Sequence, residues 1–246
     1  MVETPQDFQW IVFDIDGVLI DVSRSFDLAV RETVSEFFEK EGIDKTVSTS
    51  IIRRLRKKGS FNDDFQLCAA LVHGGIHCNL GQIVANFPPG AGLEWITGKF
   101  GEVYSQREIE EVFQTYYLGS NKNSLVGDRQ GLWVNEEPIV STDMLQRAQQ
   151  KYRLGVVTGR NELEYQLATK IIGFDFERVV TRDHAEKPDP KALDLVVKGA
   201  PGIYIGDTIN DRKLVENYRA EGYQVEFLMI GKDMPDVNQA LEWLLE

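Results

Sequence analysis

Trp10-Ile11-Val12-Phe13-Asp14-Ile15-Asp16-Gly17-Val18-Leu19 is a short apolar run that ends in two aspartates one residue apart and then a glycine. Four apolar residues stopped by a turn signal read as a buried strand. Side chains alternate along such a strand, so Asp14 and Asp16 point to one side and Ile15 to the other. Two carboxylates held at the mouth of a buried strand repel, and burying them without a counter-charge costs several kcal/mol per ion. A divalent cation between them removes that cost.

Three further stretches follow in order. Leu154-Gly155-Val156-Val157-Thr158-Gly159-Arg160 is a second short strand that ends in a hydroxyl and a glycine. Glu186-Lys187-Pro188-Asp189-Pro190 sets a lysine just before prolines that suit the first turn of a helix and cannot continue a strand. Gly202-Ile203-Tyr204-Ile205-Gly206-Asp207-Thr208-Ile209-Asn210-Asp211 is a third apolar strand, closed by a glycine and two more aspartates. Taken singly, these residues have plain readings: a turn at Asp16-Gly17, a strand end at Thr158-Gly159, a solvated helix start at Lys187, an N-cap pair at Asp207 and Asp211.

Together the four stretches resemble motifs I to IV of the haloacid dehalogenase superfamily. The resemblance is to its phosphatase branch with a cap inserted after the first strand, the phosphoglycolate phosphatase-like subfamily. It implies that Asp14 is the nucleophile and forms an aspartyl phosphate. It implies that Asp16 protonates the leaving group and then activates water. Thr158 and the Gly159 N–H would hold phosphate oxygens, with Arg160 beside them at the substrate. Lys187 would neutralise Asp14 and the phosphate. A Mg²⁺ site would take Asp14, the Asp16 carbonyl and Asp207, since Mg²⁺ keeps several waters and needs few protein ligands. Asp211 would orient Lys187 or a metal-bound water. The dehalogenating branch lacks the second aspartate, present here as Asp16.

Other motif readings fail on spacing. The glycine after Asp16 comes too early for an EF-hand loop. Gly90-Ala91-Gly92 lacks the third glycine of a dinucleotide turn, and Gly98-Lys99 lacks the upstream glycine and the following Ser/Thr of a P-loop. Cys68, His73 and Cys78, with His77 beside them, invite a zinc reading, but the spacing fits no common zinc module and Cys68 falls on an apolar face. The expectation there is a helix that ends at Gly74-Gly75.

With 246 residues, 42% of them hydrophobic, the chain can bury a substantial core. The net charge of -12 disfavours nucleic acid and anionic membranes as partners. No secretory signal or long apolar span is read, so the expected place is the cytoplasm. No sequence feature sets an oligomeric state.

About 130 residues separate Leu19 from the strand near Arg153, far more than one crossover needs. Phe26, Val30, Val34 and Phe37 recur at helical spacing after a Ser23 cap; a basic helix follows over Thr49 to Lys58, Asn62 caps another, and Ser105 opens a capping box. From Gly119 to Glu137 the pattern breaks, which suggests a flap or a small hairpin. Beyond it, strands alternate with helices over Asp143–Lys151, Glu162–Ile172, Lys191–Lys198 and Asp211–Glu221, and a last strand covers Val225–Ile230. The fold class expected is α/β: a Rossmann-like, doubly wound parallel sheet over 1–20 and 141–246, with a mainly helical cap domain over 21–140.

A cap that closes over the site excludes protein substrates and keeps out bulk water. The expectation is therefore a Mg²⁺-dependent phosphatase acting on a small phosphorylated metabolite, a sugar phosphate or a phosphoglycolate-like acid. Arg24, Lys58 and Asn62 are the cap's candidates for the substrate's distal groups; their other reading is a solvated helix face and turn. The alternatives are a phosphosugar mutase of the same superfamily and a non-catalytic binding or regulatory protein on the same fold.

Overall fold

A computed structural model describes residues 8–59, 61, 64–119 and 130–246. The chain begins with β1 (Trp10–Phe13) and the short β2 (Ile20–Asp21). Six helices follow: α1 (Phe26–Lys40), α2 (Thr49–Lys58), α3 (Asp64–His77), α4 (Leu80–Asn86), α5 (Leu93–Phe100) and α6 (Gln106–Leu118). A 3-10 turn over Leu132–Asn135 leads to β3 (Glu137–Pro138), which pairs antiparallel with β2. The alternating half then runs α7 (Thr142–Gln149), β4 (Arg153–Val157), α8 (Glu162–Ile172), β5 (Arg178–Val180), α9 (Pro190–Val197), β6 (Gly202–Gly206), α10 (Ile209–Ala220), β7 (Val225–Met229) and α11 (Val237–Leu245).

The chain forms two compact units, one of Met1–Asp21 with Glu137–Glu246 and one of Val22–Glu136. In the first, five parallel strands lie in the order β5-β4-β1-β6-β7. This is the Rossmann-like α/β sheet that the alternation of elements predicts. All four residues of β1 are fully buried, as a central strand covered on both faces requires. Trp10 and Val12 belong to one buried cluster with Leu193 and Val196 of α9 and with Leu214 and Val215 of α10. Each such side chain contributes about 1.5–3 kcal/mol by leaving water.

The second unit has its own core, which includes Phe37 and Phe38 of α1, Leu71 of α3, Ile83 of α4 and Phe113 of α6. Here the helix end expected at Gly74-Gly75 is corrected: α3 continues to His77, and both glycines are buried inside it. They serve close packing. A Cβ on Gly75 would stand 2.4 Å from Phe38 Cζ, and one on Gly74 2.7 Å from Ile83 Cδ1. The true end of α3 is capped by Lys45, whose Nζ donates to the carbonyls of Gly75 at 2.8 Å and Cys78 at 3.4 Å. Cys68 lies in this core, away from solvent. The Ser23 cap is also corrected, because α1 starts after Ser25 and the Ser25 hydroxyl is drawn to Glu136 Oε1 at 2.8 Å.

The capping box at Ser105 is present. Of the irregular stretch from Gly119 to Glu137, residues 120–129 lie outside the described residues, while Gly119 and Gln130 form an antiparallel bridge. Among the described residues no single helix is long and apolar enough to cross a membrane.

Candidate active site

Three of the four motifs follow directly on the carboxyl ends of neighbouring strands, where open α/β sheets bind ligands. After β1 the Asp14 N–H still donates to the Ile205 carbonyl of β6, at 2.9 Å. The chain then folds back on itself, with the Leu19 and Ile20 N–H groups donating to the Ile15 carbonyl at 2.8 and 3.0 Å. Gly17 makes this reversal possible at φ +77°, and a Cβ there would stand 2.3 Å from Asp207 Oδ2. Only glycine lets the first motif approach the fourth so closely.

Thr158 follows β4, is buried, and its hydroxyl accepts from the Arg160 N–H at 3.1 Å. Gly159 leaves open space where a side chain would stand. Lys187 precedes α9, which starts with Asp189 as N-cap and Pro190 in the first turn. Asn217 of α10 donates to the Pro188 carbonyl at 2.9 Å and ties this loop down. The Lys187 ammonium lies 2.9 Å from Asp14 Oδ1 and 2.7 Å from Asp211 Oδ1.

Asp211 is held from every side. Its Oδ2 accepts from the Thr208 N–H at 3.0 Å and the Thr208 hydroxyl at 2.5 Å, in the capping box that opens α10. Its Oδ1 also accepts from the Tyr204 hydroxyl at 3.1 Å. Tyr204 in turn lies 3.0 Å from the Val157 carbonyl, joining β6, β4 and α10. Sequence reasoning passed over Tyr204. The available signal was a single hydroxyl in an otherwise apolar buried strand, which needs a polar partner.

Asp14, Asp207 and Asp211 each place a carboxylate oxygen within 4.8 Å of the others. Burial pushes the Asp14 carboxyl well above the usual range, against the pull of Lys187 and with the push of Asp211, Asp16 and Asp207. Burial, aided by the Asp211 charge, raises Asp207 to about 7. Burial acts on Asp211 as well, but the Lys187 charge and the hydrogen bonds from Lys187 and Thr208 outweigh it and hold Asp211 below its ordinary value. For Lys187, burial is outweighed by Asp14 and Asp211, so it stays an ammonium. Ionising all three carboxylates would leave two negative charges in excess over Lys187, and that is what burial opposes at Asp14 and Asp207. Among the described residues Asp207 Oδ1 is buried with no hydrogen-bond partner. Hard oxygen donors, an unpartnered buried oxygen and this excess charge suit a divalent cation.

The remaining expected residues are placed as follows. Asp16 accepts from Arg160 at Oδ1, from Nε at 2.8 Å and Nη2 at 2.6 Å. Arg160, expected at the substrate, is buried and its guanidinium is engaged with Asp16, the anionic partner that a buried guanidinium requires. In the helical unit, the Lys58 ammonium sits 3.0 Å from the carbonyls of both Val84 and Ala85, where it caps the last turn of α4. The carbonyl of Arg24 lies 3.5 Å from the Asn135 side-chain amide, so Arg24 meets the chain just before β3. Asn62 lies outside the described residues.

Phosphatase Tt82 from Thermococcus thioreducens is 47% identical to this chain, with a TM-score of 0.84, 96% of this chain covered and 98% of that one. A candidate phosphoglycolate phosphatase from Lactobacillus delbrueckii subsp. bulgaricus is 18% identical with a TM-score of 0.62, over 98% and 99% of the two chains. A hydrolase of subfamily IA, variant 1, from Geobacter sulfurreducens is 14% identical with a TM-score of 0.53, over 99% and 100%. The last two share the fold. No curated protein matches the chain at a significant level. Residues 8–217 match the sequence model of the haloacid dehalogenase-like hydrolases, and the chain belongs to that family.

Proposed function

We propose that this hydrolase is a Mg²⁺-dependent phosphomonoesterase for a small phosphorylated metabolite, of the sugar phosphate or phosphoglycolate class. The observation that carries the reading is the Lys187 ammonium set between Asp14 and Asp211, with the unpartnered Asp207 oxygen beside them. Asp14, Asp207 and the Asp16 carbonyl would hold the cation, which supplies electrostatic stabilisation of phosphoryl oxygens. Asp211, tied to Tyr204 and Thr208, holds Lys187 in place.

Phosphoryl transfer asks a protein mainly for position and charge. An Asp14 oxygen attacks phosphorus while the bond to the leaving oxygen breaks, and Asp16 gives that oxygen a proton. Thr158 and the Gly159 N–H steady the phosphoryl oxygens, and Lys187 balances the charge. Water then attacks the aspartyl phosphate, gives its proton to Asp16, and frees phosphate and Asp14. The likeness to a phosphatase at 47% identity supports this chemistry. The inserted helical unit favours a small soluble ester over a phosphoprotein. Phosphate release across a panel of phosphorylated metabolites, with and without Mg²⁺, tests it: at least one substrate turns over at roughly 1 to 10³ s⁻¹ with Mg²⁺. Release from none, by pure folded protein, overturns it.

A further inference from the structure

Arg160 is 1% exposed, yet its ion-pair partner Asp16 is 31% exposed. Its Nε and Nη2 both donate to one oxygen, Asp16 Oδ1, at 2.8 and 2.6 Å. Among the described residues no hydrogen bond goes to Oδ2. The guanidinium Nη1 reaches the Glu164 carbonyl in the first turn of α8 at 3.4 Å, and the backbone N–H of Arg160 donates to Thr158 Oγ1 at 3.1 Å. A rigid cation, fixed to the loop after β4 and to α8, thus grips one half of a partly exposed carboxylate.

We infer that Arg160 is a positioning residue for Asp16, which selects Oδ2 as the oxygen that exchanges protons in catalysis. This rests on the phosphomonoesterase reading above. A bidentate fork would engage both oxygens and suit only the carboxylate. The one-oxygen grip suits both states, because Oδ1 still accepts from the guanidinium when the proton sits on Oδ2. In the first half-reaction the Oδ2 proton passes to the leaving oxygen as the phosphorus–oxygen bond breaks and the Asp14–phosphorus bond forms. In the second, a water proton passes to Oδ2 as the water oxygen bonds phosphorus and the Asp14–phosphorus bond breaks. Holding Asp16 in place before substrate arrives removes an orientational cost from each transfer.

The test compares two leaving groups. p-Nitrophenolate departs without a proton, whereas an alkoxide needs one, so kcat/KM on an alkyl phosphomonoester reads the acid and kcat/KM on p-nitrophenyl phosphate does not. The ratio of the two is independent of the fraction of folded enzyme, so partial unfolding of a variant does not disturb it. Arg160→Gln is expected to lower kcat/KM on the best alkyl substrate of the panel by about 10 to 10² fold more than on p-nitrophenyl phosphate, with Arg160→Lys in between. In an Asp16→Asn background, Arg160→Gln should leave the ratio unchanged. Equal losses on both substrates would overturn the inference and leave Arg160 a support of the fold. A further change of ratio in the Asp16→Asn background would overturn it too, because Arg160 would then act other than through Asp16. An inactive wild type would reject the hydrolase reading itself, a result distinct from active protein with an unchanged ratio.

Discussion

Lys187 Nζ stands 2.9 Å from Asp14 Oδ1 although the two residues come from the two separate chain segments of the sheet-forming unit. Asp14 follows the central strand β1, and Lys187 enters from the loop before α9, so the parallel order of the strands makes the pair. The pair offsets part of the burial penalty on Asp14, whose carboxyl still sits well above the usual range because burial outweighs the pull of Lys187.

Asp14→Asn should therefore remove turnover, by more than about 10³-fold in kcat, because an amide neither attacks phosphorus nor offers an anionic ligand. The fold should survive: Lys187 keeps Asp211, and the buried charge of Asp14 is gone. Steady-state phosphate release and a thermal melt of the same sample check both halves. Activity above a few per cent of wild type rejects Asp14 as nucleophile.

Asp207 is expected to set the response to pH and, on the proposed function, to metal. Its folded value of about 7 lies above the ordinary 3.8, so the metal-free folded state binds the proton more tightly than the unfolded chain does. The stability this proton gives is fully present below about pH 4 and is lost as pH rises through about 7. The contribution of Asp207 to the metal-free protein should fall across that window, by less than the full shift implies because solvent screens this partly exposed residue, and Asp207→Asn should flatten the fall. Urea titrations in chelator, at pH 4.5 and 7.5, measure it. Mg²⁺ should displace the proton, so calorimetry at pH 7 in two buffers of different ionisation enthalpy should show proton release. Chelator should abolish activity, Mg²⁺ restore it and Ca²⁺ inhibit, since Ca²⁺ accepts a looser, higher-coordinate geometry. Full activity in chelator removes the metal from the proposal.

The repeating part of the fold was legible because strands and helices announce themselves by period. Glu162–Ile172 and Thr49–Lys58 are helices with the bounds that the pattern predicts. The motif residues Asp14, Lys187, Asp207 and Asp211 were legible as a group because each stands beside a strand end or helix start. What escaped depends on contacts between distant segments. A glycine pair reads as a stop in one dimension, and only Phe38 and Ile83 packed against it reveal close approach. The ion pair of Arg160 with Asp16, 144 residues away in sequence, has no signal in the stretch after Thr158-Gly159. The Tyr204 hydroxyl is likewise mute until Asp211 and Val157 face it.

Two helix glycines should respond to alanine with opposite signs. In α3, a Cβ on Gly75 would meet Phe38 Cζ at 2.4 Å and Leu80 Cδ2 at 2.9 Å, and Phe38 is fully buried, so it has nowhere to move. Overpacking outweighs the gain in helix propensity, and Gly75→Ala should destabilise by about 1–3 kcal/mol. In α5, nothing lies within 4 Å of a Cβ on Gly98. Gly98→Ala should stabilise by about 0.5–1 kcal/mol, chiefly through the unfolded chain. Chemical denaturation of both variants decides; a stabilising Gly75→Ala would contradict the packing of α3 on α1.

The last prediction separates hydrolase from mutase, since both proceed through an aspartyl phosphate on Asp14. A hydrolase passes that phosphoryl group to water, with Asp16 taking the water's proton, and so releases phosphate and alcohol in equal amounts. A mutase returns it to a sugar hydroxyl, needs a bisphosphate to prime the enzyme, and loses little phosphate. Wild-type protein should release phosphate stoichiometrically from its best substrate with no hexose bisphosphate added. Asp16→Asn should slow formation of the aspartyl phosphate less for esters with good leaving groups, which need no proton, while its hydrolysis slows whatever the ester. Isomerisation faster than phosphate release on the best substrate would overturn the hydrolase assignment while leaving Asp14 as nucleophile, because the difference lies only in which oxygen accepts the phosphoryl group.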